Sequence, residues 1–381
     1  MQAVRDIVAV IGGFLVVATA VSVLRTLVIP RARPGGMSRV VDRAVDRTFQ
    51  LVLRRTDDYP SRDRVLSAQA AAYLVAILVA WMLAFLAGFT MLLWPWHETL
   101  GGAGREAASS MFTLGFDATA TPAPTILDIL AAGCGLIVVA VQIAYLPTLY
   151  AAFNRRETEV TLLDSRAGSP PWGPELLART RYGMRARTDD LPEFFALWER
   201  WCADLAESHA NYPVLVRFRS PQPMSSWLVG LLSVMDGAAL LLSLCPSRDR
   251  IEPRLCLRMG FTALRQIAVA VALDVEWDAD PDADLLLSYD DYAAGVQRLV
   301  DVGFPVERTA EEAWPHFRGW RANYEQVAYQ LAWLTDAVPA LWSGPRRWAA
   351  EPIPPQRPPN RVASDATGVT DARAVRGKPV S

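Results

Sequence analysis

The residues best placed to do chemistry are Ser109-Ser110-Met111-Phe112-Thr113-Leu114-Gly115-Phe116-Asp117, a short run between two long apolar segments. A polar turn with two prolines, Pro122 and Pro124, follows it. A loop held between apolar helices can offer backbone carbonyls in place of an ion's water shell. Irregular backbone is tolerated at such depth only where protein or a water-filled cavity surrounds it. The same run also reads as an outer turn between two ordinary helices, with Gly115 as a helix terminator.

Two other constellations carry chemical interest. In the apolar segment after the run, Gly135, Gln142 and Leu149 are seven apart and share one helix face. Gly135 and Gln142 are therefore candidates for lining a pore. Glycines there serve close helix packing equally well. Further on, Asp274, Glu276, Asp278, Asp280, Asp282 and Asp284 alternate through a turn. Clustered carboxylate oxygens suit a hard cation such as calcium, and Asp278, Asp280 and Asp282 are the candidate ligands. The EF-hand spacing fails, because Ala283 takes the glycine position and Tyr289 that of the last glutamate. A solvated acidic loop is the other reading. No G-x-S-x-G, P-loop, H-E-x-x-H or G-x-G-x-x-G is present, and His97, His209 and His316 are far apart. The expectation is a protein that is not an enzyme and needs no cofactor.

These residues must be positioned by an all-α framework. Ile7 to Ile29, Ala68 to Trp94 and Ile126 to Phe153 are each long enough to cross the ~30 Å hydrocarbon core. Trp94-Pro95-Trp96 suits an interfacial belt. Arg31, Arg33, Arg39, Arg43, Arg47, Arg54, Arg55, Arg62 and Arg64 crowd the connection after the first span, which the positive-inside rule places in the cytoplasm. The amino terminus is then outside and the chain after Arg155 inside. Within that connection Val40, Val41, Ala44, Val45, Phe49, Leu51 and Val52 recur at helical spacing, which predicts a helix lying along the headgroups.

The expected organisation is a first anchor with its basic linker helix (1–67), a second unit holding the run (68–156), a linker (157–171), a cytoplasmic helical bundle (172–348) and a disordered tail (349–381). Helix starts are marked at Asp189 or Asp190, Ser225 or Ser226, Pro253, Ser288 with Asp291, and Thr309 with Glu312. Trp227 to Cys245 is apolar enough to cross a membrane, but a central aspartate, Asp236, disfavours insertion. It reads as the buried centre of the bundle, with Arg258 or Arg265 as partner for Asp236. The four cysteines form no C-x-x-C pair, so no disulfide framework is expected. A net charge of −2 does not point to nucleic acid.

Thr113-Leu114-Gly115-Phe116, following a short helical run between two spans, resembles the filter of the potassium-channel-like pore-loop family over roughly residues 68–153. Asp117 stands where that family has a second glycine, and the usual proline is displaced to Pro122. The resemblance implies a re-entrant loop, a filter at Thr113, Leu114, Gly115, Phe116 and Asp117, monovalent cations as cargo (potassium in the family's usual case) and a homotetramer in the lipid bilayer. The competing expectation is a non-conducting membrane anchor whose cytoplasmic bundle binds a protein partner.

Overall fold

A computed structural model describes residues 2–29, 35–119, 121–181, 190–248, 250–278, 280 and 282–356. Among them all regular structure is helical, apart from two isolated bridges. The helices form two packed units joined by one continuous helix.

The first unit contains α1 (Gln2–Leu27), α4 (Gln69–Leu93), α5 (Leu100–Met111) and the amino-terminal part of α6 (Pro122–Ala167). The α1 and α4 backbones touch: a Cβ added at Gly12 would lie 2.6 Å from the Gly88 carbonyl oxygen. Small residues allow this approach where apolar surroundings supply no hydrophobic drive. Trp81, Phe85 and Phe89 recur every four residues along α4 and fill the seam, and the Trp81 indole donates to Ser22 at 3.1 Å. Helix α5 wedges between α4 and α6.

Among the described residues four helices are long and apolar enough to cross a membrane: α1, α4, α6 and α9 (Trp227–Leu244). They are covered very differently. The most apolar stretch of α9 is 94% buried within the protein, against 17%, 28% and 22% for the other three. Around α9 pack the bundle end of α6, α7 (Gly173–Arg179), α8 (Leu191–Asn211), α10 (Ile251–Ala270), α12 (Ala310–Arg321) and α13 (Glu325–Thr335), with α11 (Tyr289–Asp301) against α7. Ser226, Ser288 and Thr309 cap α9, α11 and α12 as their sequence positions predict, Thr309 in a full capping box with Glu312. Asp190 precedes α8 but makes no side-chain cap bond.

The partner of Asp236 is neither Arg258 nor Arg265. Arg321, fully buried, donates to Asp236, to Glu325 at 2.8 Å, to the Tyr329 hydroxyl at 2.7 Å and to the Trp342 carbonyl at 2.7 Å. Tyr324 donates to the same carboxylate at 2.8 Å. Arg258 lies on the exposed side of α10, and Arg265 reaches the Asn323 carbonyl instead. Burial alone would favour losing the Arg321 proton, but Asp236, Tyr329 and Glu325 hold its pKa well above the ordinary value. Removing one partner from such a cluster would leave a buried charge unanswered, at a cost of about 3–5 kcal/mol.

Two expectations about boundaries change. Residues 157–167 are helix, not linker: α6 runs unbroken to Ala167 and buries Val160, Leu163 and Ala167 in the bundle core. Residues 349–356 are also tied down, since Ile353 bridges Ala340 and Gln356 bridges Ser169. The rest of the expected disordered tail lies outside the described residues. The basic connection folds as α2 (Gly36–Leu53) and α3 (Tyr59–Leu66), both docked on the bundle. Arg217 forks onto Asp42 at 2.8 and 3.0 Å, and Arg219 bonds both Asp63 and the Tyr59 hydroxyl.

Arg156 ties α6 to the bundle. Its guanidinium contacts His209 Nε2 at 3.0 Å and donates to the Leu215 and Phe218 carbonyls. A guanidinium only donates, so Nε2 accepts, the imidazole is neutral, and Nδ1–H faces the Ser208 hydroxyl at 3.1 Å. Burial, and then the Arg156 charge, push the His209 pKa well below its usual value. The unfolded chain therefore binds a proton below about pH 6.5 that the native state refuses. Stability from this site is full above that pH and falls as pH drops below it. Unfolding followed by tryptophan fluorescence should show a lower midpoint at pH 5.5 than at pH 7.5, and His209→Gln should remove most of that difference. An unchanged slope in the variant would exclude His209 as its source.

Candidate functional site

Helix α5 begins at Thr99, whose hydroxyl accepts from the Gly102 amide at 3.1 Å. Its buried face carries Ala103, Glu106, Ala107 and Met111, set against α4 and α6. The helix ends because the chain turns left-handed at Thr113 (φ 54°) and again at Gly115 (φ 69°). Glycine takes this conformation freely, whereas a β-branched threonine there is uncommon and costs energy.

The turn sends its donors inward. The Thr113 amide bonds Ser110 O at 2.9 Å, and the Leu114 and Gly115 amides bond Ser109 O at 2.7 and 3.5 Å. The Phe116 and Asp117 amides both bond the buried Ser109 hydroxyl oxygen at 3.0 Å. Five consecutive N–H groups are thus taken up by the last turn of α5. The carbonyls of Thr113, Leu114, Gly115 and Phe116 accept no hydrogen bond among the described residues. The loop leaves these four acceptors unpaired while its amides from Thr113 to Asp117 are all taken. Phe112, Leu114 and Phe116 are about half exposed or more, an unusual share of large apolar side chains for one loop.

Buried polar groups anchor the far end. The Glu106 carboxylate, fully buried, accepts from the Thr119 amide and hydroxyl, and His97 Nε2 lies 2.7 Å from it. Beside it, Ser110 donates to Asp128 at 2.6 Å. At the exposed rim Arg105 pairs with Asp117 at 3.2 Å and stacks over the Phe116 ring.

The structure distributes the predicted site residues unevenly. Thr113, Leu114, Gly115, Phe116 and Asp117 form one loop. Asp117 does not adopt the positive φ that a second glycine would supply. Gly135 and Gln142 sit on the covered side of α6, not on the face this chain leaves open. A Cβ at Gly135 would lie 2.3 Å from the Met111 carbonyl oxygen, so this glycine lets the end of α5 rest on α6. Gln142 is buried with its Oε1 unpartnered. At Asp278, Asp280 and Asp282 no group of three His, Cys, Asp or Glu side chains converges among the described residues, and Asp282 pairs with Arg318 at 2.7 Å.

Ser109 is named from sequence only as the start of the run and His97 only as one of three scattered histidines, and Glu106 is not singled out at all. Glu106 left one signal, a lone carboxylate on the same helix face as Ala103 and Ala107. Compared with family models, with curated proteins and with solved structures, the chain matches none.

Ser109→Ala should release two loop amides at once. Each unmade buried bond costs about 1–3 kcal/mol, so hydrogen exchange at Phe116 and Asp117 should quicken at least tenfold while α8 to α10 are unaffected. Unchanged exchange at both amides would show that the hydroxyl does not hold the loop.

Proposed function

We propose that this protein is embedded in a lipid bilayer by α1, α4 and the outer part of α6, and that the loop after α5 helps form a cation pathway shared by four copies of the chain. One observation carries the reading: the loop commits five successive amides to its own helix and leaves four successive carbonyls without a donor. Carbonyl oxygens replace the hydration shell of a cation, whereas free amides would favour an anion. One loop cannot surround an ion. Additional copies would also cover Phe112, Leu114 and Phe116, which a single chain leaves open.

The electrostatics favour cations only mildly. Asp117 stands at the rim, but Arg105 of the same chain offsets its charge. An exposed pair of this kind is worth little, about 0–1 kcal/mol, so the carboxylate is readily released to a passing cation. Without a second left-handed residue at Asp117 fewer carbonyls align, and discrimination between potassium and sodium should be weak.

Ion flux from purified protein in liposomes tests the pathway. Wild type should pass potassium and sodium. Gly115→Val, which cannot take φ 69° without strain, should reduce flux to background. Asp117→Asn should lower cation-over-anion preference, and Arg105→Gln should raise it. Equal flux, or equal absence of flux, in wild type and Gly115→Val defeats the reading.

The arginine-rich connection supports a direction for the chain, with α2, α3 and the bundle in the cytoplasm and the amino terminus outside. A cysteine at the exposed Glu193 of the bundle should resist an impermeant thiol reagent in intact cells and react after permeabilisation. Strong labelling of intact cells would reverse the topology.

A further inference from the structure

Helix α2 carries Arg39, Asp42, Arg43, Asp46 and Arg47, so arginines and aspartates alternate along its polar side. The fold separates the two signs. Asp42 is held by Arg217, and Asp46 by Arg217 at 3.1 Å, Arg347 at 2.8 Å and Gln69 at 3.1 Å, all on the side facing the bundle and α4. Arg39, Arg43 and Arg47 remain exposed, as do Arg54 and Arg55 just past the helix end, and none of them forms an ion pair among the described residues.

At 3.6 residues per turn, Arg39, Arg43 and Arg47 fall within roughly a quarter of the helix circumference. Val40, Ala44 and Leu51 occupy the adjoining arc. Val40 is 62% and Leu51 58% exposed, so a basic stripe runs beside an open aliphatic one.

The location of this face is fixed at two points. The Ser38 hydroxyl lies 3.0 Å from that of Thr26, in the last turn of α1, and Gln69, which donates to Asp46, is the first residue of α4. The helix therefore passes the end of α1 and the start of α4, two of the places where the chain leaves or enters the apolar unit. A stripe of guanidinium groups next to exposed aliphatic side chains matches the headgroup zone, where phosphates lie above acyl chains. Guanidinium forks suit phosphate oxygens.

We propose that the exposed face of α2 is a docking surface for anionic lipid headgroups. The inward ion pairs of Asp42 and Asp46 create it, by withdrawing two negative charges from the face and joining α2 to the bundle. The inference rests on the placement of α1 and α4 in a bilayer and is independent of whether the loop conducts.

The full chain is placed in nanodiscs of phosphatidylcholine alone or of phosphatidylcholine with phosphatidylglycerol. A nitroxide is attached at Val40→Cys in a Cys134→Ser background, the other three thiols being buried. Power saturation then reads contact with lipid-dissolved oxygen against contact with an aqueous nickel complex. With phosphatidylglycerol the label should move from water toward lipid. Raised salt should reverse the move. Replacing Arg39, Arg43 and Arg47 together by Gln should abolish it, since each basic side chain near an anionic surface contributes roughly fivefold in partitioning, and three exceed a hundredfold.

Four results overturn the proposal: a label in water in both lipids, a label equally deep in both, a triple variant that behaves as wild type, or a label shielded from oxygen and nickel alike, which reports a protein partner. No ion flux enters the readout, so failure here leaves the pathway reading standing, and the reverse also holds.

Discussion

Apolar side chains on four helices have to be kept from water, and the chain meets this demand in two ways. It surrounds α9 with protein until 94% of that helix's apolar stretch is buried, whereas α1, α4 and α6 keep open outward faces. Surrounding α9 sets a second demand, because Asp236 is buried along with it. A carboxylate in such surroundings needs a charged partner with every remaining donor and acceptor satisfied. Arg321 meets that need, and Glu325, Tyr324, Tyr329 and the Trp342 carbonyl complete the set. The placement of α12, α13 and the residues around Trp342 follows from this single buried carboxylate. The open faces of the other three helices are the structural basis for placing them in lipid.

The loop after α5 applies the same accounting of polar groups at a smaller scale. Ser109 uses its carbonyl and its hydroxyl to satisfy four amides beyond its own helix. Glu106 does likewise for Thr119 from one turn earlier. Both side chains are buried, so the loop is shaped from behind, with four backbone carbonyls left unpaired and three apolar side chains left exposed.

Local signals were legible in the sequence, and long-range partners were not. The serine and threonine caps at Ser226, Ser288 and Thr309 act within one turn, so nearest neighbours determine them. The partner of Asp236 depends on the rotational phase of helices far apart in the chain; Arg258 and Arg265 were nearer in sequence, but Arg321 was nearer in space. The partners of Asp42 and Asp46, Arg217 and Arg347, lie equally far along the chain. The helix through residues 157–167 had a visible pattern in Val160, Leu163 and Ala167. It was masked by Asn154-Arg155-Arg156, which reads as the end of a span. In fact Arg156 is buried, with its charge spent on Glu157 and on carbonyls. Of the candidate site, the run from Ser109 to Asp117 was visible as a motif, while the roles of Ser109, Glu106 and Gly135 emerge only once α5 rests on α6.

That resting point lies on a helix of 46 residues, roughly 69 Å of continuous rod at 1.5 Å per residue. Near one end Gly135 carries the tip of α5; near the other Arg156, Val160 and Leu163 are clamped in the bundle. A rod held this way behaves as a lever. A tilt imposed at the clamp is delivered to the loop directly, without a relay of intermediate side chains. Pro147 lies between the two ends and removes one backbone hydrogen bond from the rod, so it is where the rod bends most easily and where the share of tilt reaching the loop is set. The loop and the bundle, on this geometry, are two ends of one mechanical part.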